Sequence, residues 1–219
     1  MSSEVWNSKR LIYRAPEESD DNEFYYKASH DSQTFTQAAP FLPVPQAKKG
    51  SKGWREWMES CLLGVIICLP APVPPSTSNG VTSAAGAEVS KPIPIGTITL
   101  MGGTETRHAH HRCVQVGISI TAPYQGQGYG SEAILWALNW GFVYANLHRI
   151  EIGAFEWNPR AIKLYERLGF KMESRKRENM WFKGRYWDTV ELGMLKREWE
   201  EMYGNKEDQQ IDVVVGQNK

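Results

Sequence analysis

Cys113 to Ile120 (CVQVGISI) alternates without a break, Val114, Val116, Ile118 and Ile120 facing one way and Cys113, Gln115, Gly117 and Ser119 the other. A period of two marks a strand whose two faces meet different surroundings. Other β-branched and aromatic runs at Lys9–Arg14, Leu62–Leu69, Ile93–Leu100, Arg149–Ala154, Arg175–Phe182 and Tyr186–Leu195 predict further strands, the last two joined by a tight turn at Lys183-Gly184-Arg185. Trp54, Trp57, Met58 and Cys61 recur at helical spacing, and Ile134, Leu138, Gly141, Phe142 and Ala145 share one face of a helix over 131–144. Pro16 and the carboxylates after it open a helix that runs through Phe24, Tyr25 and Ala28. Another is predicted over Pro159–Leu168, closed by Gly169. Residues 30–53 mix prolines, polar groups and Lys48, Lys49 and Lys52, and read as a loop or a broken helix. The order is α+β, with mostly antiparallel strands first and a strand–helix–strand–helix unit in the second half.

The chain has 219 residues, with 25 basic and 25 acidic groups. At this length one domain, 9–202, is expected, with an N-terminal extension over 1–8 and a polar tail over 203–219. The stretch 70–92, rich in Pro, Ser, Thr, Ala and Gly, lacks the apolar groups to offset its ordering entropy and is expected to be a disordered insertion at a hairpin tip. Zero net charge argues against a strongly cationic nucleic-acid binder. The longest apolar run, Cys61–Leu69, is interrupted by Gly64, stopped by Pro70 and far short of the ~20 residues a membrane span needs. Met1–Arg10 has no apolar core of signal-peptide length, so a cytoplasmic chain with neither a membrane nor a nucleic-acid partner is expected. Cys61, Cys68 and Cys113 are odd in number, lack metal-ligand spacing, and are expected to be reduced core residues. The histidines of Arg107–Arg112 have no carboxylate or cysteine partner to complete a ligand set; a solvated basic loop and no metal are expected. Lys171–Arg177 reads as a solvated strand edge. Most tryptophans, among them Trp54, Trp57, Trp136, Trp140 and Trp157, are expected in packing, with Trp181-Phe182 and Tyr186-Trp187 as candidates for an acceptor-pocket wall or a dimer contact.

The candidate chemistry begins at Gln125-Gly126-Gln127-Gly128-Tyr129-Gly130, between the alternating strand and a helix. Closely spaced glycines let a backbone turn tightly and aim N–H groups at an anion, and the helix N-terminus adds about half a positive charge. Such turns also serve plain connections, and this one matches neither a P-loop, which closes on Gly-Lys-Ser/Thr, nor a dinucleotide fingerprint.

Two elements taken together are more specific. Gln125–Gly130 resembles the Q/R-x-x-G-x-G/A coenzyme A loop of the GNAT acetyltransferases, and Asn158 to Phe170 (NPRAIKLYERLGF) resembles their N-x-x-A-x-x-x-Y-x-x-x-G-F element, in the family's order and at about its separation. The arrangement is similar to the branch holding spermidine N-acetyltransferases and ribosomal-protein N-terminal acetyltransferases. It runs from Arg10 to about Trp199 and is absent from 70–92. The resemblance implies the GNAT acyl-CoA N-acyltransferase fold, a mixed, mainly antiparallel sheet flanked by helices, with acetyl-CoA as cosubstrate. Ile118, Ser119 and Ile120 would lie on the splayed strand that pairs with pantetheine. Gln125, Gly126, Gln127, Gly128, Tyr129 and Gly130 would hold the pyrophosphate through backbone amides. Asn158 and Arg160 would stand near the coenzyme arm and its 3′-phosphate side, and Tyr165 beside the thioester sulfur. Relatives often form homodimers.

The chemistry sets three demands: an alkylammonium of pKa ~10.4 must lose a proton before attack, the tetrahedral intermediate needs donors for its oxyanion, and the departing thiolate needs a proton. Tyr165 is the candidate acid. The base is less determined: Gln115 stands where relatives often carry a glutamate, and an amide cannot accept the proton. Glu151 and Glu156 are candidates, Glu156 the better, beside a water chain to solvent. The acceptor is expected to be a small-molecule amine or a protein or peptide N-terminus. A polyamine is the alternative, weakened because His30–Gly53 offers one carboxylate, Asp31, against Lys48, Lys49 and Lys52. The same motifs would also suit a transferase that uses a different acyl-CoA donor, or a catalytically silent acyl-CoA-binding module.

Overall fold

The computed structural model describes residues 3–72, 91–103 and 107–204. Most of the expected 70–92 insertion and nearly all of the expected tail lie outside the described residues. In chain order the elements are β1 (Ile12–Arg14), α1 (Glu18–His30), α2 (Ser32–Ala38), α3 (Gly50–Ser60), β2 (Leu63–Leu69), β3 (Ile93–Met101), β4 (Cys113–Ile120), α4 (Tyr129–Asn139), β5 (Arg149–Phe155), α5 (Pro159–Arg167), β6 (Lys171–Phe182), β7 (Arg185–Leu195) and α6 (Lys196–Trp199). They build a sheet ordered β1-β2-β3-β4-β5-β7-β6. Neighbours run antiparallel except β4 and β5, which are parallel and joined through α4.

Alternation along the strands sorts the two faces. Val65, Ile67, Ile98, Leu100, Val114, Val116, Ile150 and Ile152 form one continuous core with Ile134, Trp136 and Leu138 of α4 and Tyr165 of α5. Each such side chain contributes about 1.5–3 kcal/mol on full burial. On the opposite face Ile66 and Cys68 meet Tyr25 of α1 and Met58 of α3 in a smaller cluster. β6 closes the sheet as a solvent-facing edge strand whose first nine residues are exposed; its lysines and arginines disfavour pairing with another edge.

Several boundaries differ from expectation for identifiable reasons. The stretch 30–53, expected as a loop or a broken helix, includes helix α2, because Asp31 Oδ1 accepts from the N–H groups of Gln33 (3.1 Å) and Thr34 (3.3 Å) as an N-cap. α3 starts at Gly50, ahead of the periodic tryptophans, and only Met58 of the expected stripe is fully buried. The cysteines divide: Cys68 is buried, but Cys61 caps α3 and Cys113 begins β4 on the face away from the larger core, so both are only half-buried. The segment before residue 9 docks on α4, where Trp136 Nε1 donates to Val5 O (3.0 Å) and Ser8 Oγ to Glu132 (2.7 Å). At the other end Tyr203 donates to Leu168 O (3.2 Å), so the helical turn at Glu200–Gly204 belongs to the packed body. Among the described residues no helix is long and apolar enough to cross a membrane.

The layer contact between α3 and β2 depends on one missing side chain: a Cβ on Gly64 would stand 2.2 Å from Met58 O. Gly64→Ala is expected to destabilise by about 1–3 kcal/mol through overpacking. Gly53, inside α3 with no atom within 4 Å of its Cβ position, should respond oppositely, Gly53→Ala gaining about 0.5–1 kcal/mol. Urea unfolding midpoints of the two variants check both signs.

Candidate active site

The parallel pair β4–β5 is joined only over Cys113–Val116 and Arg149–Ile152. Beyond these residues the strands part. β4 stays with β3, whose Gly96–Met101 pair with Ile120–Gln115, while Gly153–Phe155 of β5 stay with β7. The β5-facing edge of β4 from Gly117 onward is therefore open for an extended ligand to pair with.

Two cavities meet at this fork. One of about 500 Å³ lies toward the glycine turn and α5; Ile118, Ser119, Ile120, Gln125, Gly126, Gly128, Gly130, Asn158, Arg160 and Tyr165 all border it. The other, about 690 Å³, lies on the α3 side of the sheet and is bordered by Trp54, Trp57, Gln115, Gly153 and Glu191. Tyr165, Ile118, Asn158 and Ala161 line both.

The turn is built to present backbone. Gly126 (φ +76°) and Gly128 (φ +85°) occupy the left-handed region that glycine enters without strain. α4 begins at Tyr129 without a side-chain N-cap, leaving its first N–H groups open to the cavity side. Gln125 is a brace: its Nε2 donates to Ile120 O (2.8 Å) and its Oε1 accepts from Gln33 Nε2 (3.1 Å). Gln127 donates to Pro123 O (3.0 Å), and neither it nor Tyr129 lines the cavity.

Positive charge surrounds the turn. Arg160 Nη2 lies 3.4 Å from the Cβ position of Gly126, and Arg10 Nη2 3.2 Å from that of Gly128. Arg10 is held there by Glu132 (2.7 Å) and Gln127 O (3.1 Å), with its guanidinium 4.6 Å from the Tyr129 ring centre. Lys163 and Arg167, on the same face of α5 as Arg160, extend the basic rim. Open N–H groups, a helix N-terminus and converging guanidiniums fit a pyrophosphate-bearing ligand. Asn158 caps α5, its Oδ1 accepting from Ala161 N (3.3 Å).

Tyr165 is buried on α5, and desolvation by burial pushes its pKa up to about 12. It stays a protonated O–H donor at any ordinary working pH. Of the two carboxylates expected near the base position, neither borders a cavity at the fork. Glu151 is engaged by Arg149 Nε (2.8 Å). Glu156 lies past β5 and turns toward the β6–β7 ribbon, where Arg175 Nη1 (3.2 Å) and Asp188 N (3.1 Å) donate to it. Glu191 of β7, by contrast, borders the α3-side cavity. The Cβ position of Gly153 is 3.0 Å from Glu191 Oε2 and 3.5 Å from Gln115 Nε2, so the missing side chain lets carboxylate and amide face each other. Lys176 Nζ lies 3.6 Å from Glu191.

Of the β6–β7 aromatics, expected at an acceptor-pocket wall or a dimer contact, none borders either cavity at the fork. Trp54 and Trp57, with rings 5.1 Å apart, line the α3-side cavity. Trp181 and Tyr186 stand exposed near the hairpin tip, and Trp187 packs edge-on against Trp157. α2 spans the mouth of the fork: Asp31 Oδ2 accepts from Ala122 N (3.1 Å) beyond β4, and Trp157 Nε1 beyond β5 donates to Thr36 O (2.9 Å). Sequence reasoning missed Arg10 and Glu191. Glu191 had a faint signal, a lone carboxylate between apolar Val190 and Leu192; Arg10 had none, because its role depends on Glu132, far away in the chain.

The model of the acetyltransferase (GNAT) domain matches residues 10–171. The chain belongs to the GNAT family. A spermidine N(1)-acetyltransferase of Vibrio cholerae is 35% identical over 86 residues, 39% of this chain and 50% of the relative. An uncharacterized N-acetyltransferase from the SPbeta prophage of Bacillus subtilis is 31% identical over 87 residues, 40% of this chain and 49% of the relative. The chain thus spans about half the length of these curated relatives. The crystal structure of the Vibrio cholerae spermidine N-acetyltransferase with CoA and spermine superposes with a TM-score of 0.67 at 21% identity, over 87% of this chain and 98% of that one, a likeness of fold. The parted strands, glycine turn and α5 tyrosine are thus seated in a GNAT fold.

Burial of Tyr165 has a measurable alkaline consequence. Its folded pKa of about 12 exceeds the ordinary 10.0, so the native state holds this proton more tightly than the unfolded chain. The associated stability is complete below pH 10 and is lost as pH rises through about 12, on the order of 2–3 kcal/mol in all. Urea midpoints of wild type and Tyr165→Phe should converge in slope below pH 10 and separate above it, wild type falling faster. Tyr13 and Tyr25, also raised by burial, leave a residual slope in both proteins.

Proposed function

We propose that this GNAT chain is an N-acetyltransferase that passes the acetyl group of acetyl-CoA to a primary amine by direct attack. The observation that carries this reading is the position of Tyr165, in the wall shared by the two cavities where β4 and β5 part. Acetyl-CoA would supply the activated thioester and lie along the basic, loop-side cavity, while the amine would enter from the α3 side.

The residues meet the three demands in turn. Roughly one alkylamine in a thousand is neutral at pH 7, so a proton acceptor must face the incoming nitrogen. Glu191, beside Gln115 across Gly153, supports that role better than Glu156, whose carboxylate is turned to Arg175 and the Asp188 N–H. Gln115 can then orient the amine or a water through its amide. The open edge of β4 beyond Val116, where every second backbone N–H faces the gap, offers a donor to the oxyanion. Tyr165 faces the leaving sulfur. Against an ordinary thiol pKa of ~8.5, full proton transfer from a phenol at about 12 is uphill. The phenol therefore acts chiefly as a hydrogen-bond donor that stabilises the developing thiolate.

The charges around the α3-side cavity favour an acceptor with one ammonium. Its only charged liners among the described residues are Glu191 and Lys176. Asp31, the carboxylate left in the 30–53 region, is already committed. Burial raises its pKa, but hydrogen bonds from Thr34 Oγ1 and from the N–H groups of Ala122, Thr34 and Gln33 outweigh this and hold it below the usual carboxylate value. A polyamine would bring several charges to a site with one partly neutralised carboxylate. A peptide N-terminus, carrying a single ammonium of lower pKa, satisfies the same charge balance.

Acetyl-CoA at 100 times its Kd should stabilise the protein by about 2.7 kcal/mol in thermal unfolding, and thiol release with an amine and peptide panel should follow. Binding without thiol release on any acceptor would favour the silent binding module; no stabilisation would remove the coenzyme. Tyr165→Phe is expected to lower kcat about 10²-fold with KM for acetyl-CoA little changed. Arg10→Ala and Arg160→Ala should instead raise that KM about 10-fold each, the usual cost of a charge-assisted contact. Steady-state kinetics in both substrates separates the two patterns.

A further inference from the structure

A third cavity of about 320 Å³ lies between α1, α2, the irregular segment 39–49 and α3, over the end of β3. Its lining includes Phe24, Tyr25, Phe35, Leu42 and Val44 and contains no charged side chain. It adjoins the α3-side cavity, with Ala39, Phe41, Gly50 and Trp54 bordering both. At its rim Phe41, Leu42 and Val44 are 65%, 78% and 51% exposed, three large apolar side chains in water on one short segment.

We infer that the acceptor amine carries an apolar arm, aryl or medium-length alkyl, which seats in this cavity while its ammonium faces Glu191. The inference rests on the transferase reading above and adds the substrate class. Four observations support it. The volume is about twice that of a ~150 Å³ apolar cavity that holds benzene, enough for a bicyclic ring or an alkyl chain. A second ammonium entering it would lose its hydration and meet no carboxylate. An apolar arm would cover Phe41, Leu42 and Val44, removing from water the surface they now expose. It shares more of its wall with the α3-side cavity (Ala38, Ala39, Phe41, Gly50 and Trp54) than with the loop-side cavity (Thr34, Ala38 and Ser119), which sets it beside the acceptor side of the fork.

The test compares kcat/KM, with acetyl-CoA, for ethylamine, octylamine, 2-phenylethylamine and spermidine. The two apolar-armed amines should exceed ethylamine and spermidine by about 100-fold. Ala28 lines this cavity and neither of the others. Ala28→Phe should fill it and bring octylamine to within a few-fold of ethylamine, leaving ethylamine unchanged. Leu42→Asp, on an exposed coil where folding is not at stake, should lower octylamine turnover about 10-fold and narrow the gap to spermidine. Equal efficiency for ethylamine and octylamine, or a preference for spermidine, would overturn the inference while leaving the transferase intact. A preference for octanoyl-CoA over acetyl-CoA that Ala28→Phe abolishes would assign the cavity to the donor and overturn it too. Turnover of none of the amines, with acetyl-CoA still raising the unfolding midpoint, would overturn the transferase reading and this one together.

Discussion

The site exists because two parallel strands stop pairing after four residues each. β4 and β5 both run toward helices on the same face, and between Val116 and the strand ends each must choose a neighbour. Glycines settle the choice for β4. A Cβ on Gly96 would lie 2.3 Å from Ser119 O, and one on Gly117 would lie 2.7 Å from Thr99 Oγ1. The close approach of β3 to β4 therefore tolerates no side chain at either place. β5 is drawn the other way by its ladder to β7, which continues through Phe155. A sheet normally avoids unpaired backbone within its body, because buried N–H and C=O groups without partners are costly. Here the open edge faces cavities on both sides and can be completed by a ligand.

A gap of this kind needs something to hold its width, and α2 provides it. This short helix could not persist alone. It is fixed at its start by Asp31, which accepts from its own first turn and from Ala122 beyond β4. It is fixed again through Gln33 to Gln125 in the glycine turn, and through Thr36 O to the Trp157 indole beyond β5. One helix thus ties the two arms of the fork and the loop together. Gln125 belongs to this brace by its side chain and to the glycine turn by its backbone position, so geometry in the turn is coupled to geometry at the mouth.

The parts of the fold that the sequence made legible are those written in local pattern. The β4 alternation marked a strand with two distinct faces, Val114 and Val116 buried on one of them, and the Asn158–Phe170 segment displays its cap, its helix and its Gly169 stop within a few residues. α2 was harder to see. Its apolar positions are few and its stability comes from distant partners, so periodicity over 32–38 carried little signal. The tryptophans misled for a related reason. Their apolar area argues for packing in general but not for which surface, and at Trp54 and Trp57 the surface is a cavity wall.

The different settings of Glu156 and Glu191 follow from register. Glu156 comes just after β5, at the point where the strand has left β4 and the chain turns under the β6–β7 ribbon, within reach of Arg175 and the Asp188 N–H. No spacing rule along the sequence reveals that its side chain turns away from the fork. Glu191 is far from the motif in sequence but pairs directly with Gly153 across the β5–β7 ladder, on the same sheet face as Gln115. Cross-strand neighbours on one face stand about 4.5–5.5 Å apart at Cβ, and the absence of a side chain at Gly153 clears the path between the two. An amide at 115 and a carboxylate at 191 thus face each other across Gly153 at the edge of the α3-side cavity. The constraint sits in the pairing of strands, which brings a carboxylate beside Gln115 from a strand that no motif spacing points to.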